Sequence, residues 1–149
     1  MELKKVTFEN IDQLIALEVR EDQREFVAPN VLSLAEAYVA VSGGHAAQPF
    51  GIYEGGGPVG FVMFGYGSLD DPDEPAIAKG NYCLWRFMID GKHQGRWLGN
   101  LALQACLELA RARGARQYLV LGDYITDHAY PQRVMELQDE AGERHSWMF

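Results

Sequence analysis

The chain has 149 residues, of which 48% are apolar and 11% aromatic; this suits a single domain over 1–149 with a real core and excludes disordered or fibrous classes. Thirteen Lys and Arg against 21 Asp and Glu leave a formal charge of −8, which disfavours nucleic acid and anionic membrane and suits a neutral or cationic small partner, although acidic charge also simply aids solubility. No stretch of about 18 apolar residues occurs and MELKKVTFENIDQL lacks a signal-type apolar run, so a soluble, cytoplasmic protein is expected.

Leu3 to Phe8 predicts a first strand. Asn10 and Gln13 resemble a capping box for a helix with Ile11, Leu14, Ile15 and Val19 on one face. The same box recurs as Ser33 and Glu36, ahead of a second helical stretch whose Leu34, Ala37, Tyr38 and Val41 share a face. Pro49–Glu54 and Val59–Gly67 are β-rich segments separated by Gly55, Gly56, Gly57 and Pro58, which predicts an antiparallel hairpin. Residues 69–81 carry prolines, a glycine and four acids, the composition of an exposed loop.

Tyr82 to Ile89 is an aromatic and aliphatic run suited to a mid-sheet strand. From Leu98 the apolar positions 98, 101, 102, 105 and 109 fall on one helical face, and Gly114 stops that helix. Gln117 to Gly122 predicts a strand parallel to Tyr82–Ile89. Beyond it, Pro131 opens a helix through Gln138 and His145–Phe149 forms a last strand. Cys83 and Cys106 have neither zinc nor redox spacing and are read as buried thiols.

Between the mid-sheet strand and the following helix lies DGKHQGRWLGN, residues 90–100, with glycines at 91, 95 and 99. Unpaired backbone N–H groups and the helix dipole make such a turn a cradle for phosphate, although many strand-to-helix turns use glycine only to reverse the chain. The spacing is neither GxxxxGK[ST] nor GxGxxG, so nucleoside-triphosphate and dinucleotide readings lose support.

The segment WRFMIDGKHQGRWLGNLALQACLELA resembles the acetyl-CoA motif of the GNAT N-acetyltransferases: a strand, then (Arg/Gln)-x-x-Gly-x-(Gly/Ala), then a helix. QREFVAPNVLSLAEAYV and FGIYEGGGPVGFVMFGY are similar to the bacterial diamine, spermidine and spermine acetyltransferase branch, so the likeness covers roughly residues 1 to 122. It implies an α/β (α+β) fold in three layers, a mixed, mostly antiparallel central sheet with a parallel strand pair and flanking helices. It also implies acetyl-CoA as cosubstrate, no metal, and a primary amine as acceptor. Pantetheine would lie on a bulged strand at Phe87, Met88 and Ile89, and the pyrophosphate on amides of Gln94, Gly95, Arg96, Trp97, Leu98, Gly99 and Asn100.

Residue 97 is Trp where the family has its middle glycine. With ordinary helical φ the indole projects sideways over the cofactor's edge; with positive φ the position is strained, and weaker acetyl-CoA binding than with glycine is expected. Glu21, Asp22 and Glu25 are candidates for binding a cationic amine, with a solvated helix end as their ordinary reading. The family's Asn, Ala and Leu-Tyr-x-x-x-Gly-Phe run supplies a tyrosine that protonates the departing thiolate. Here Asp127, His128 and Ala129 resemble its beginning only, and the chain is atypical from about residue 123, leaving Tyr130 and Tyr124 as candidate acids. His93 and His128 are candidate bases only in principle. The readings are therefore an N-acetyltransferase acting on a polyamine or other small amine, a non-catalytic acyl-CoA-binding or interaction module, and an unrelated α/β protein. An open sheet edge at the altered end favours a homodimer.

Overall fold

The computed structural model describes residues 1–74 and 79–113, and the backbone of strands at 120–121, 134–138 and 144–148. Strands β1 (Glu2–Lys5), β2 (Ala46–Glu54), β3 (Gly57–Tyr66), β4 (Tyr82–Ile89) and β5 (Val120–Leu121) form one sheet in that order. The first four are antiparallel neighbours, and β5 joins β4 in parallel. The β2–β3 reversal is made by Gly55 and Gly56, both with positive φ, as the glycine run predicts.

The helices are α1 (Ile11–Ile15), α2 (Asn30–Ser42) and α3 (Leu98–Ala112), with a 3-10 turn at Glu21–Gln23. The sheet is buried on both faces because its strands alternate between two cores. Along β3, Val62 and Phe64 pack in the cluster that holds Ala102, Leu103 and Cys106 of α3, whereas Phe61 and Met63 pack in the cluster that holds Ala37 of α2. The result is helix, sheet, helix in three layers. Asn30, almost fully buried, ties α2 to α1 by donating to the Leu14 carbonyl at 2.8 Å.

Several sequence expectations need correction. Asn10 does not cap α1; its side chain accepts from the Thr7 amide at 2.8 Å and donates to the Lys5 carbonyl at 3.0 Å, closing the turn before the helix. Helix α2 begins one turn before the expected box, after Pro29, so Ser33 is buried inside it. Glu36 reaches across to β4 instead of back to a cap, and Tyr38 and Val41 are exposed. The buried face of α3 is Ala102, Leu103, Cys106 and Ala110, with Leu101 turned largely outward. Residues Val134–Gln138 are strand β6, paired antiparallel with β7 (Arg144–Met148), not a helix; cross-strand pairing overrides local helix preference there. Burial pushes the Cys106 thiol up to about 12, so it behaves as a small apolar group within α3.

Candidate functional site

The site starts with an irregularity in β4. Met63 pairs with Arg86 and Phe64 with Leu84, so Trp85 is an extra residue, a β-bulge. The bulge lies two residues before the stretch expected from the sequence. It turns Trp85 and Arg86 toward the same layer: Trp85 packs in the α2-side cluster, and Arg86 donates to Glu36 of α2 at 2.7 Å. Beyond the bulge alternation resumes, with Phe87 and Ile89 toward α3 and Met88 toward α2.

The second element is the short parallel pairing of β4 with β5. Among the described residues β5 pairs only with Cys83 and Leu84, so from Trp85 to Ile89 the side of β4 facing away from β3 has no described strand beside it. At the paired end sits Cys83, whose thiol is pushed up to about 11 by burial and by the nearby Glu74 carboxylate. A neutral thiol there is a poor nucleophile, which disfavours a covalent acyl-cysteine route.

At the C-terminal end of β4 the loop from 90 to 97 is held by Asp90, which is 5% exposed. Its carboxylate accepts from the Glu18 amide at 3.1 Å and the Lys92 amide at 3.2 Å, and lies 3.1 Å from His93 Nδ1. The sequence alone gives no carboxylate partner for His93; the fold supplies one. The Gly91 amide donates back to the Glu18 carbonyl at 2.7 Å, so the segment 18–27 is bound to this loop. Gln94 reinforces the joint, donating to the Ile89 carbonyl at 2.9 Å and to the Gln23 side chain at 2.7 Å.

Gly95 has φ +78°, and a Cβ there would meet nothing within 4 Å. Trp97 has φ 60° and ψ 7°, the left-handed region, so the strained alternative holds. No side chain caps α3, and its first bond to the Trp97 carbonyl comes from the Leu101 amide, leaving the amides of 98–100 without helical partners. These elements surround a cleft of about 520 Å³ lined by Phe87, Met88, Ile89, His93, Gln94, Gly95, Trp97, Leu98, Gly99 and Asn100, with Val19, Gln23, Phe26 and Val27 as the facing wall.

The donor set fits a phosphate-headed ligand with an extended arm. Uncapped amides at a helix start attract anionic oxygens, and an unpaired strand edge binds an amide-bearing chain as a further strand would. Of the residues expected to touch the cofactor, only Arg96 does not line the cleft; it is exposed on the loop's outer side. Glu21, Asp22 and Glu25 are exposed on the same short segment as the facing wall, and Asp22 is paired with Arg20 at 3.2 Å. Tyr124, Tyr130 and His128 lie outside the described residues. The wall residues Val19, Phe26 and Val27 carry no chemical signal that distinguishes them in sequence. Asp90 does carry one, as an Asp-Gly pair at a strand end.

The profile of the acetyltransferase (GNAT) family matches residues 10–134. The chain belongs to the GNAT family. This GNAT chain is 31% identical over 106 residues to the spermine/spermidine N(1)-acetyltransferase of Bacillus subtilis strain 168, and equally to a probable spermine N(1)-acetyltransferase of Bacillus subtilis subsp. natto. The matched stretch covers 71% of the chain and 65% of each relative. Among solved structures, the crystal structure of a mutant BH1408 protein from Bacillus halodurans superposes with a TM-score of 0.54 at 12% identity, covering 84% of this chain and 83% of the other, which supports the GNAT fold alone. No helix among the described residues is long and apolar enough to cross a membrane.

Proposed function

We propose that this GNAT domain transfers an acetyl group from acetyl-CoA directly to a primary amine of a polyamine or similar small polycation. The observation that carries the reading is one cleft lined both by Phe87, Met88 and Ile89 of β4 and by the uncapped start of α3, a path for a pantetheine arm and its pyrophosphate. The polyamine acceptor is taken from the Bacillus relatives and suits a chain of charge −8.

Acetyl-CoA supplies an activated thioester carbonyl. The chain has three tasks: to hold that carbonyl against an amide of the bulged strand near Met88, to orient a deprotonated amine toward it, and to protonate the leaving sulfur. Glu21, Asp22 and Glu25 place negative charge beside the cleft for the remaining ammonium groups of the acceptor, and Tyr130 or Tyr124 acts as the acid. Binding in one ternary arrangement needs no nucleophile from the protein.

The test is thiol release from acetyl-CoA over a panel of diamines, spermidine and spermine. Release above the amine-free rate is expected, and Tyr130→Phe or Tyr124→Phe, whichever removes the acid, should lower kcat by about 10²-fold. Binding of CoA without turnover on any amine would favour the non-catalytic acyl-CoA-binding reading. Absence of CoA binding would overturn both.

A further inference from the structure

Trp97 is anomalous on two counts. It is the sole non-glycine residue with positive φ among the described residues, and its side chain is 79% exposed. A bulky residue in the left-handed region carries a conformational cost that is ordinarily tolerated only where something else over-determines it. Packing does not: Trp97 makes no aromatic stacking contact among the described residues, and solvent surrounds most of its ring. What surrounds it is the rim of the cleft. Trp97 lines that cleft together with Gly95, and its backbone immediately precedes the amides that open α3.

The proposed ligand has a fixed order of parts. Its pyrophosphate joins a pantetheine arm on one side to an adenosine on the other. If the diphosphate rests on the amides at 98–100 and the arm runs down β4, the adenosine must leave across the rim that Trp97 occupies. We propose that Trp97 is a nucleobase platform on which the adenine of the acyl donor stacks, so that the site selects full coenzyme A thioesters over donors lacking the adenosine. This rests on the acetyl-CoA reading above and reverses the sign expected from sequence, where the indole weakens binding. The conformational cost is present in the free protein as well and so falls on stability, whereas the stacking gain appears only in the complex.

The experiment is calorimetric titration of the full chain with CoA and with 4′-phosphopantetheine, for wild type, Trp97→Gly and Trp97→Phe. A base stacked on an aromatic ring accounts for roughly tenfold in affinity. CoA should bind Trp97→Gly about tenfold more weakly than wild type, with phosphopantetheine unchanged and Trp97→Phe within about threefold of wild type. Indole emission should be quenched by CoA in wild type and not in Trp97→Phe. Equal or tighter CoA binding by Trp97→Gly would overturn the platform while leaving the acyltransferase reading intact. An equal loss for both ligands would overturn it too, by assigning Trp97 to the pantetheine or phosphate end. Failure of every form to bind CoA would instead overturn the acetyltransferase reading, and the platform with it.

Discussion

Trp97 holds φ 60° at the start of α3, where glycine would be free of strain. A left-handed conformation costs an L-residue about 1–2 kcal/mol, and introducing glycine returns part of that as extra freedom of the unfolded chain. Trp97→Gly should therefore stabilise the free protein by about 0.5–1 kcal/mol, raising the melting midpoint by roughly 2–5 °C, whereas Trp97→Ala, which keeps the strain, should not. Thermal unfolding of the three proteins without ligand checks this; equal gains for both variants would show that loss of the exposed indole, not φ, is responsible. Combined with the titrations above, the residue becomes a case in which stability and binding are set against each other at one position.

At the scale of elements, the contact that fixes the bulged part of β4 is the pair between Arg86 and Glu36. Arg86 is 7% exposed, its guanidinium lies 5.6 Å from the Trp85 ring, and Glu36 is about one-third exposed. Removing the partner of a buried cation is costly, but partial exposure of Glu36 lets water compensate. Glu36→Ala should lower unfolding free energy by about 1–2 kcal/mol in urea titration, and Glu36→Gln, which still offers a carbonyl acceptor, should recover part of it. A change under about 0.3 kcal/mol for Glu36→Ala would mean the pair does not hold the bulge. Elements were legible where pattern and packing agree. The glycine run at 55–57, the apolar strand Tyr82–Ile89 and the helix from Leu98 follow from periodicity and breakers. Glu36 has the spacing of half a capping box, and spacing cannot reveal a partner 50 residues away; Val134–Gln138 looks helical after Pro131 because its β7 partner is invisible locally. In the site, the glycine-bearing turn between strand and helix is legible in the sequence, whereas the wall from Val19 to Val27 reaches the cleft only through long-range bonds such as those of Gly91 to Glu18 and Gln94 to Gln23.

For the whole molecule, the charge of −8 acts on how an acceptor arrives. A polyamine carries several positive charges, so its capture should depend on ionic strength. Between about 0.01 and 0.1 M salt the screening length falls from roughly 30 to 10 Å. The KM for spermidine should rise several-fold over that range with kcat little changed. Replacing Glu21, Asp22 and Glu25 together by their amides should raise KM at low salt and flatten the dependence. A KM indifferent to both salt and the triple variant would mean that the amine enters elsewhere.

The stretch of β4 beyond its pairing with β5 has a bearing on solubility as well as on ligand capture. Bare strand edges at the rim of a sheet recruit other chains and seed polymers. Beyond Leu84 the described residues set no strand on the β5 side of β4, and a ligand bound along that stretch would occupy its backbone groups. Ligand held there would thus also shield the stretch from strand pairing with a second copy.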